Sequence, residues 1–419
     1  MKILTRSLVG LAVSAAVSTA ALAQQVEVTL AHPYGKIFRP IHEQIIAEFA
    51  KQRPDVKIVL EAPQPDYEQL VQRTLSGIPQ KNAPVLSFQG VNQVRQFVDA
   101  GHAHDLSAFV KDDPRWKDDG GYYPNMMALG RFDKRQMAIP FAISTPIMYY
   151  NADLFRKAGL DPANPPKTWP DVIAAAKKIQ AAVPGTTGLF YDYLITGNWG
   201  FQVLVYSEGG SMMTPEETDV AFDREPGIRA TKLLRTFVDD GVMKDWNRAQ
   251  GEQAFIAGNV GFYFSSTSWL KGVEDKARFD MRTAFYPESS IGQRRLPSGG
   301  NAAVIITDDP KKAKAAYDYA MFAAGPIGTE IMVKGSGYMP MHKEGTARLA
   351  SFYAEHPNFK TSVEQVPFIF PWYAFPGQNT LKIIDVIKDS LQSVVSKQAT
   401  PEAALKRAGD EVRKLAKGS

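Results

Sequence analysis

The chain contains no cysteine at all among its 419 residues. That removes disulfide scaffolds, thiolate zinc or iron–sulfur sites and every cysteine nucleophile. Charge of one sign is also lacking: 48 Lys and Arg stand against 44 Asp and Glu, a net +4, with no run of five like charges. A nucleic-acid partner, which needs a basic stripe, is therefore not expected. Long apolar runs are missing too, since no segment carries about 18 uncharged apolar residues in a row. Catalytic signatures are equally scarce. There is no G-x-S-x-G elbow, no phosphate-binding G-x-x-x-x-G-K-[ST], no G-x-G-x-x-G and no H-E-x-x-H. His102 and His104 have only Asp105 as a near acid, and Asp112, Asp113, Asp118 and Asp119 do not follow the spacing of a calcium loop. A solvated loop is the better reading of both, and no cofactor or metal is expected.

What is present begins with an export signal. Lys2 and Arg6 precede an apolar run from Leu8 to Val17, and Ala21-Leu22-Ala23 reads as a small-x-small cleavage site with Gln24 as the new N-terminus. Residues 1–23 are thus read as a signal peptide, and the mature chain as a periplasmic protein of ordinary globular composition, long enough for two domains.

The mature chain opens with strands alternating with helices. Val26, Val28 and Leu30 alternate with polar residues, and Ile41, Ile45 and Phe49 recur at helical spacing up to Pro54. Val56–Leu60 and Val85–Phe88 read as strands, Tyr67–Leu75 and Val91–Ala100 as helices. This alternation predicts an α/β architecture with a mostly parallel sheet. Its ligand would lie beyond the carboxyl ends of the strands, where the loops 31–39, 62–66 and 88–92 gather. The apolar stretch 137–151 is broken only by Ser144-Thr145-Pro146. Thr168 and Asp171 form a capping-box pattern ahead of a helix face of Val172, Ala175, Ala176 and Ile179. The tail predicts an amphipathic helix with Leu405, Ala408, Val412 and Leu415 on one face.

Several stretches carry a family pattern: FAKQRPDVKIVLE, PDYEQLVQ, STPIMYYNADLFRKAGLDPANPPKTWPDV, FIAGNVGFYFSS, PSGGNAAVI, AAGPIGTEIMVKGSGYMPMH and TPEAALKRAGDEV. Through these the chain resembles the family 1 extracellular solute-binding proteins of ABC importers, nearest the glycerol-3-phosphate and carbohydrate branch. The resemblance implies a two-lobed periplasmic-binding-protein fold of type II, with three crossovers, a ligand cleft between the lobes and no catalysis. It implies a first lobe of 24–142 plus 283–336, a second of 146–281 plus 340–419, and hinges near 142–145, 282–285 and 337–340. Its partners would be a small solute and permease subunits, with the protein itself a monomer.

The same resemblance implies ligand contacts from Tyr67, Ser144, Trp199, Ser266 (or Ser268 after a two-residue slip), Gly300 and Tyr338, and Trp269 and Trp372 are further aromatics read as ligand-facing, with core packing as the alternative. Two positions depart from the pattern. Gln89 or Asn92 stands where the branch carries a Glu for glycerol hydroxyls, and Phe375 or a neighbour stands where it carries a phosphate-binding Arg. Losing that Arg removes the strong bidentate donor for a phosphate and leaves aromatic surface suited to sugar faces or cations. A neutral carbohydrate or polyol is therefore favoured over glycerol-3-phosphate, with a choline-bearing glycerophosphodiester open. Arg294 and Arg295, in a polar loop, are expected to be solvated. The reading from a different class is a secreted hydrolase or lyase acting on saccharides.

Overall fold

The computed structural model describes residues 25–117 and 120–417. The signal-peptide reading and the residues Asp118 and Asp119 of the acidic loop lie outside the described residues. Nine strands build two sheets: β1 (Val26–Ala31), β2 (Val56–Leu60), β3 (Leu86–Gly90), β4 (Ile139–Ser144), β5 (Pro146–Asn151), β6 (Thr187–Tyr191), β7 (Val260–Ser266), β8 (Met281–Ala284) and β9 (Gly299–Ile305). The first sheet has the order β2-β1-β3-β9-β4 and the second β8-β5-β7-β6. Each sheet has its own buried apolar cluster, so the chain forms two α/β lobes.

The sheets are more mixed than the alternation suggests. β1 runs parallel to β2 and β3, and β6 to β7, but β9 is antiparallel to both neighbours and β5 to both of its own. The strands that follow a passage between lobes enter from the opposite direction, without a crossover helix to turn them.

The apolar stretch 137–151 becomes two six-residue strands, each buried throughout, that belong to different sheets. The chain changes lobe at Thr145, whose N–H is held by Thr267 Oγ1 at 3.2 Å and whose hydroxyl accepts from Gln365 Nε2 at 3.0 Å.

The two later passages differ from the expected boundaries. Thr283 and Ala284, in the expected hinge 282–285 and at the expected start of the first-lobe segment, pair with Tyr149 and Met148 of the second sheet. The chain stays in that lobe through Leu296–Pro297, which pairs with Ile369–Phe370, and leaves at Ser298. Residues 340–348 were placed in the second lobe but remain on the first. His342 bridges to Tyr122, and the helix Lys343–Arg348 packs on the helix Pro326–Gly335. After His342 the chain next joins the second core at Leu349. In both cases strand pairing or helix packing, which sequence spacing does not reveal, sets the boundary.

Local signals translate directly. Thr168 Oγ1 accepts from Asp171 N and caps the helix Trp169–Ala182, which buries Val172, Ala175, Ala176 and Ile179. Leu405, Ala408 and Val412 of the last helix, Pro401–Lys417, are buried against the helices Thr380–Val395 and Glu225–Asp239.

The first lobe buries three histidines, His32, His42 and His342, and the first two lie deepest. His42 stacks on Phe141 with centroids 5.2 Å apart, and its Nδ1 lies 3.2 Å from Tyr319 Oη. Burial, reinforced by the neighbouring His32, holds its pKa well below the usual 6.5. Burial also lowers that of His32, opposed by its bond to the Pro33 carbonyl. The unfolded chain therefore takes up protons that the folded one refuses. Stability is fully present above about pH 6.5 and is lost as pH falls below it, by up to about 1.4 kcal/mol per pH unit for one histidine. Denaturant midpoints at pH 7.5 and 5.5 are expected to show this loss, and His42→Gln to reduce its slope. An unchanged slope would remove His42 as the source.

Candidate functional site: a cleft between the lobes

Between the lobes lies a narrow, nearly closed cleft with a cavity volume of about 30 Å³. It is lined by Tyr34, Ile37, Tyr67 and Tyr338, by Ser144, Ser266 and Ser268, by Ile195, Thr196, Gly299 and Gly300, and by Trp199, Trp269, Trp372 and Arg248. Most of these sit at strand ends or just past them. Ser144 ends β4, Ser266 ends β7, and Gly299 and Gly300 begin β9.

The walls are aromatic. Trp199 begins the helix Trp199–Ser207, and its Nε1 donates to Pro297 O at 2.9 Å. Its ring lies 6.2 Å from that of Trp372, tilted by 55°. Both indoles come from second-lobe segments but pack into the first lobe's cluster, so the lobes are in contact. Tyr34 and Tyr67 meet edge to face at 5.2 Å. Tyr67 Oη accepts from Asn301 Nδ2 at 3.2 Å. Burial pushes the Tyr67 phenol well above its usual range, and that of Tyr338 to about 12, so both stay neutral donors. The Tyr338 hydroxyl faces those of Tyr67 and Ser268.

Of the residues named from sequence, Tyr67, Ser144, Trp199, Ser266, Trp269, Gly300, Tyr338 and Trp372 meet at this cleft, and both Ser266 and Ser268 line it. Three do not. Gln89 shares a strand face with Ser87 and points under the helix Tyr67–Gly77, where its Nε2 donates to Ser87 Oγ at 2.7 Å and Thr74 Oγ1 at 3.1 Å. Asn92 is buried against Gly197 at the lobe junction, beside the cleft. Phe375 is buried in the second core, edge to face with Tyr373 at 5.2 Å.

Arg294 is not solvated either, whereas Arg295 is exposed as expected. Arg294 is 9% exposed and lies over Phe285 and Phe368, while Arg295 lies over Tyr206 and Phe370. Both stack on aromatics of the second lobe, as guanidinium groups do. His102 and His104 gather no further ligands: among the described residues no three His, Asp or Glu side chains converge as a metal site.

The residues that sequence reasoning missed include Tyr34 and Arg248. Tyr34 follows β1 in one of the strand-end loops, which was its signal. Arg248 had none. It is the first residue of the helix Arg248–Ile256, whose N-cap Asn247 forms a capping box with Gln250. Its guanidinium lies 4.6 Å over the Trp269 ring, with Nε 3.1 Å from Asp192 Oδ2. Asp192 follows β6, is 1% exposed, and accepts from Ser265 Oγ at 2.9 Å. Burial holds its carboxyl above the usual range, opposed by Arg248 and Ser265.

Further contacts join the lobes. Arg95 of the first lobe grips Glu217 of the second in a two-pronged pair, 2.6 Å and 2.7 Å, and Tyr373 Oη donates to the same carboxylate at 2.9 Å. Glu68 accepts from Gly197 N at 3.2 Å and from the Thr196 hydroxyl.

Residues 44–361 match the model of the bacterial extracellular solute-binding proteins. The chain belongs to that family. Among curated relatives of this solute-binding protein is the sn-glycerol-3-phosphate-binding periplasmic protein UgpB of Agrobacterium fabrum. It is 26% identical over 303 residues, 68% of this chain and 69% of the relative. The protein of the same name from Rhizobium meliloti is 26% identical over 306 residues, 70% of each chain.

Solved structures share the fold. UgpB of Mycobacterium tuberculosis in complex with glycerophosphocholine superposes with a TM-score of 0.83 at 20% identity, covering 93% of this chain and 98% of that one. A Listeria monocytogenes ABC substrate-binding protein in complex with cycloalternan gives 0.80 at 20% identity, covering 93% and 99%. The two-lobed architecture expected from sequence is thus present.

Proposed function

We propose that this chain captures a small hydroxylated solute, a sugar, polyol or glycerol derivative, by closing its lobes, and delivers it to the permease subunits of an ABC importer. It acts as an exported, periplasmic monomer and performs no catalysis. One observation carries the reading. The indole N–H groups of Trp269 and Trp372 are sealed from water at the cleft and have no acceptor among the described residues. A buried donor without a partner costs about 1–3 kcal/mol, and a solute hydroxyl or oxyanion between the lobes would supply the acceptor. Aromatic walls with few converging polar groups are the usual make-up of a small-molecule site. Ser144, Ser266, Ser268, Tyr67 and Tyr338 orient the solute, and the Trp199 and Trp372 rings flank it. The ligands named for the relatives, glycerol-3-phosphate and glycerophosphocholine, fall in the same class.

The test is thermal-shift and calorimetric titration with sugars, polyols, glycerol-3-phosphate and glycerophosphocholine. A ligand at 100 times its Kd should stabilise the fold by about 2.7 kcal/mol, with the probe recovered unchanged. Turnover of a saccharide would favour the hydrolase reading instead.

Closure predicts a further result. The Arg95–Glu217 pair joins the lobes with both side chains partly exposed, so its loss should shift the balance toward the open form by about 1 kcal/mol. Glu217→Gln is expected to weaken solute binding up to about fivefold. It should also raise the radius of gyration of the free protein in small-angle scattering. Wild-type affinity and radius would show that the pair does not hold the lobes.

A further inference from the structure

Glu68 touches the solute cleft from behind. It follows Tyr67 at the start of the helix Tyr67–Gly77, whose cap comes from Asp66, accepting from Gln69 N at 2.8 Å. The Glu68 carboxylate is turned to the other lobe. Its Oε1 accepts from Gly197 N at 3.2 Å and from the Thr196 hydroxyl, residues 129 and 128 positions away. Tyr67 and Thr196 both line the cleft, and Glu68 joins them without lining it.

The turn that Glu68 grips carries Trp199. Thr196–Asn198 is a single 3₁₀ turn that leads into the helix Trp199–Ser207. Gly197 and Asn198 are both left-handed, with φ +61 and +57, a conformation open to Gly and Asn. Asn198 stands at the N-cap but supplies no side-chain cap, because its Nδ2 donates to Ile384 O at 3.1 Å. The first turn of the helix holds no acid. A carboxylate near such an amino end is stabilising, and Glu68 supplies one from the opposite lobe. The fit has no slack: a Cβ on Gly197 would lie 2.5 Å from Asn92 Nδ2 and 2.5 Å from Trp372 Cζ2. Trp199 itself packs into the first lobe's cluster beside Trp372, so a displaced turn moves an indole of the cleft wall.

Resting on the reading of the cleft as a solute site, we propose that Glu68 is a positioning residue for it: the first lobe's carboxylate seats the Thr196–Asn198 turn of the second, and with it Trp199, where the solute meets the indole. Tyr67 and Glu68 are neighbours at one helix start, so the element that presents one aromatic wall also fixes the opposite one. The two walls come into register when the lobes close, and the bonds to Thr196 and Gly197 make that register a single geometry. Such a role depends on reach and on an acceptor oxygen. Gln keeps the acceptor at the same distance, whereas Asp keeps the charge and falls one methylene short.

The experiment labels the six tryptophans with 5-fluorotryptophan and assigns the Trp199 fluorine resonance through Trp199→Phe. In the solute-free protein, Glu68→Ala and Glu68→Asp are expected to shift or broaden that resonance, and Glu68→Gln to leave it near the wild-type position. Trp116, which donates to Tyr317 Oη at 2.9 Å in the first lobe, and Trp169, buried in the second core, should not move. A general structural role would instead lower the urea midpoint and disturb these resonances as well. Calorimetric titration with glucose, glycerol, glycerol-3-phosphate and glycerophosphocholine reads the site itself. For whichever of the four binds the wild type, Glu68→Ala and Glu68→Asp are expected to weaken binding roughly fivefold to tenfold, and Glu68→Gln by less than about threefold. An unmoved Trp199 resonance in Glu68→Ala, or wild-type affinity in both Glu68→Ala and Glu68→Asp, would overturn the proposal. Equal losses in Glu68→Gln and Glu68→Ala would overturn it too, by making charge and not the held turn the cause. Wild-type protein that binds none of the four would overturn the solute reading and the part of Glu68 in it, while the Trp199 resonance would still decide whether Glu68 holds the turn.

Discussion

Gly300→Ala is expected to be the most damaging single methyl group in the molecule, costing about 3–5 kcal/mol. Gly300 has φ +102, a backbone region in which a side chain is strained, at about 1–3 kcal/mol. An added Cβ would also sit 1.7 Å from the Ala142 carbonyl oxygen and 2.7 Å from its carbon. Those atoms are backbone of β4, paired with β9 in the register Gly300 to Ile143, so they cannot rotate away. Overpacking of this kind adds a further 1–3 kcal/mol or so. The melting temperature should fall by roughly 10 °C, since each kcal/mol is worth about 2–4 °C in a domain of this size. Gly272→Ala provides the control, because nothing lies within 4 Å of its Cβ and it sits in the short helix Leu270–Glu274. It should be neutral or slightly stabilising. Equal melting temperatures for the two variants would show that β4 and β9 are less closely held than their pairing indicates.

Asp192→Ala is expected to cost about 3 kcal/mol, near the lower end for breaking a buried ion pair because Arg248 keeps some solvent contact. The pair is not a net source of stability: burial penalises the Asp192 charge even with Arg248 alongside. Removing one partner is nevertheless severe, since the other charge stays behind and Ser265 loses its acceptor. Arg248→Met combined with Asp192→Ala should therefore be more stable than Asp192→Ala alone. A double-mutant cycle from urea unfolding measures this coupling, and additive costs would mean that the two groups do not interact energetically.

Much of the local architecture was legible in the sequence. Alternation over Val26–Leu30 is β1, the spacing of Ile41, Ile45 and Phe49 is the buried face of the helix Gly35–Gln52, and Thr168 with Asp171 is a working cap. These features depend on residues a few positions apart, where periodicity and capping chemistry act. The aromatic and serine positions of the cleft were legible through a family pattern, and Tyr67, Ser144, Ser266 and Tyr338 do meet there. Gln89 and Phe375 did not follow, because a strand's alternation and a loop's turn direct each into its own core.

The charge of the cleft was decided by the tertiary structure alone. Arg248 opens a helix in the second lobe and Tyr34 ends a loop in the first; neither neighbours the other in sequence, and no spacing rule joins them. Asp192 reaches Ser265 across 73 positions because β6 and β7 run parallel, bringing their carboxyl ends to one edge. The lobe boundaries at Ser298 and Leu349 likewise follow from strand and helix partners distant in the chain. Composition and periodicity determine which residues are buried and in what local form. Which charge faces which cavity depends on how far-apart segments pack, because electrostatic interactions depend on distance in space and not on separation along the chain.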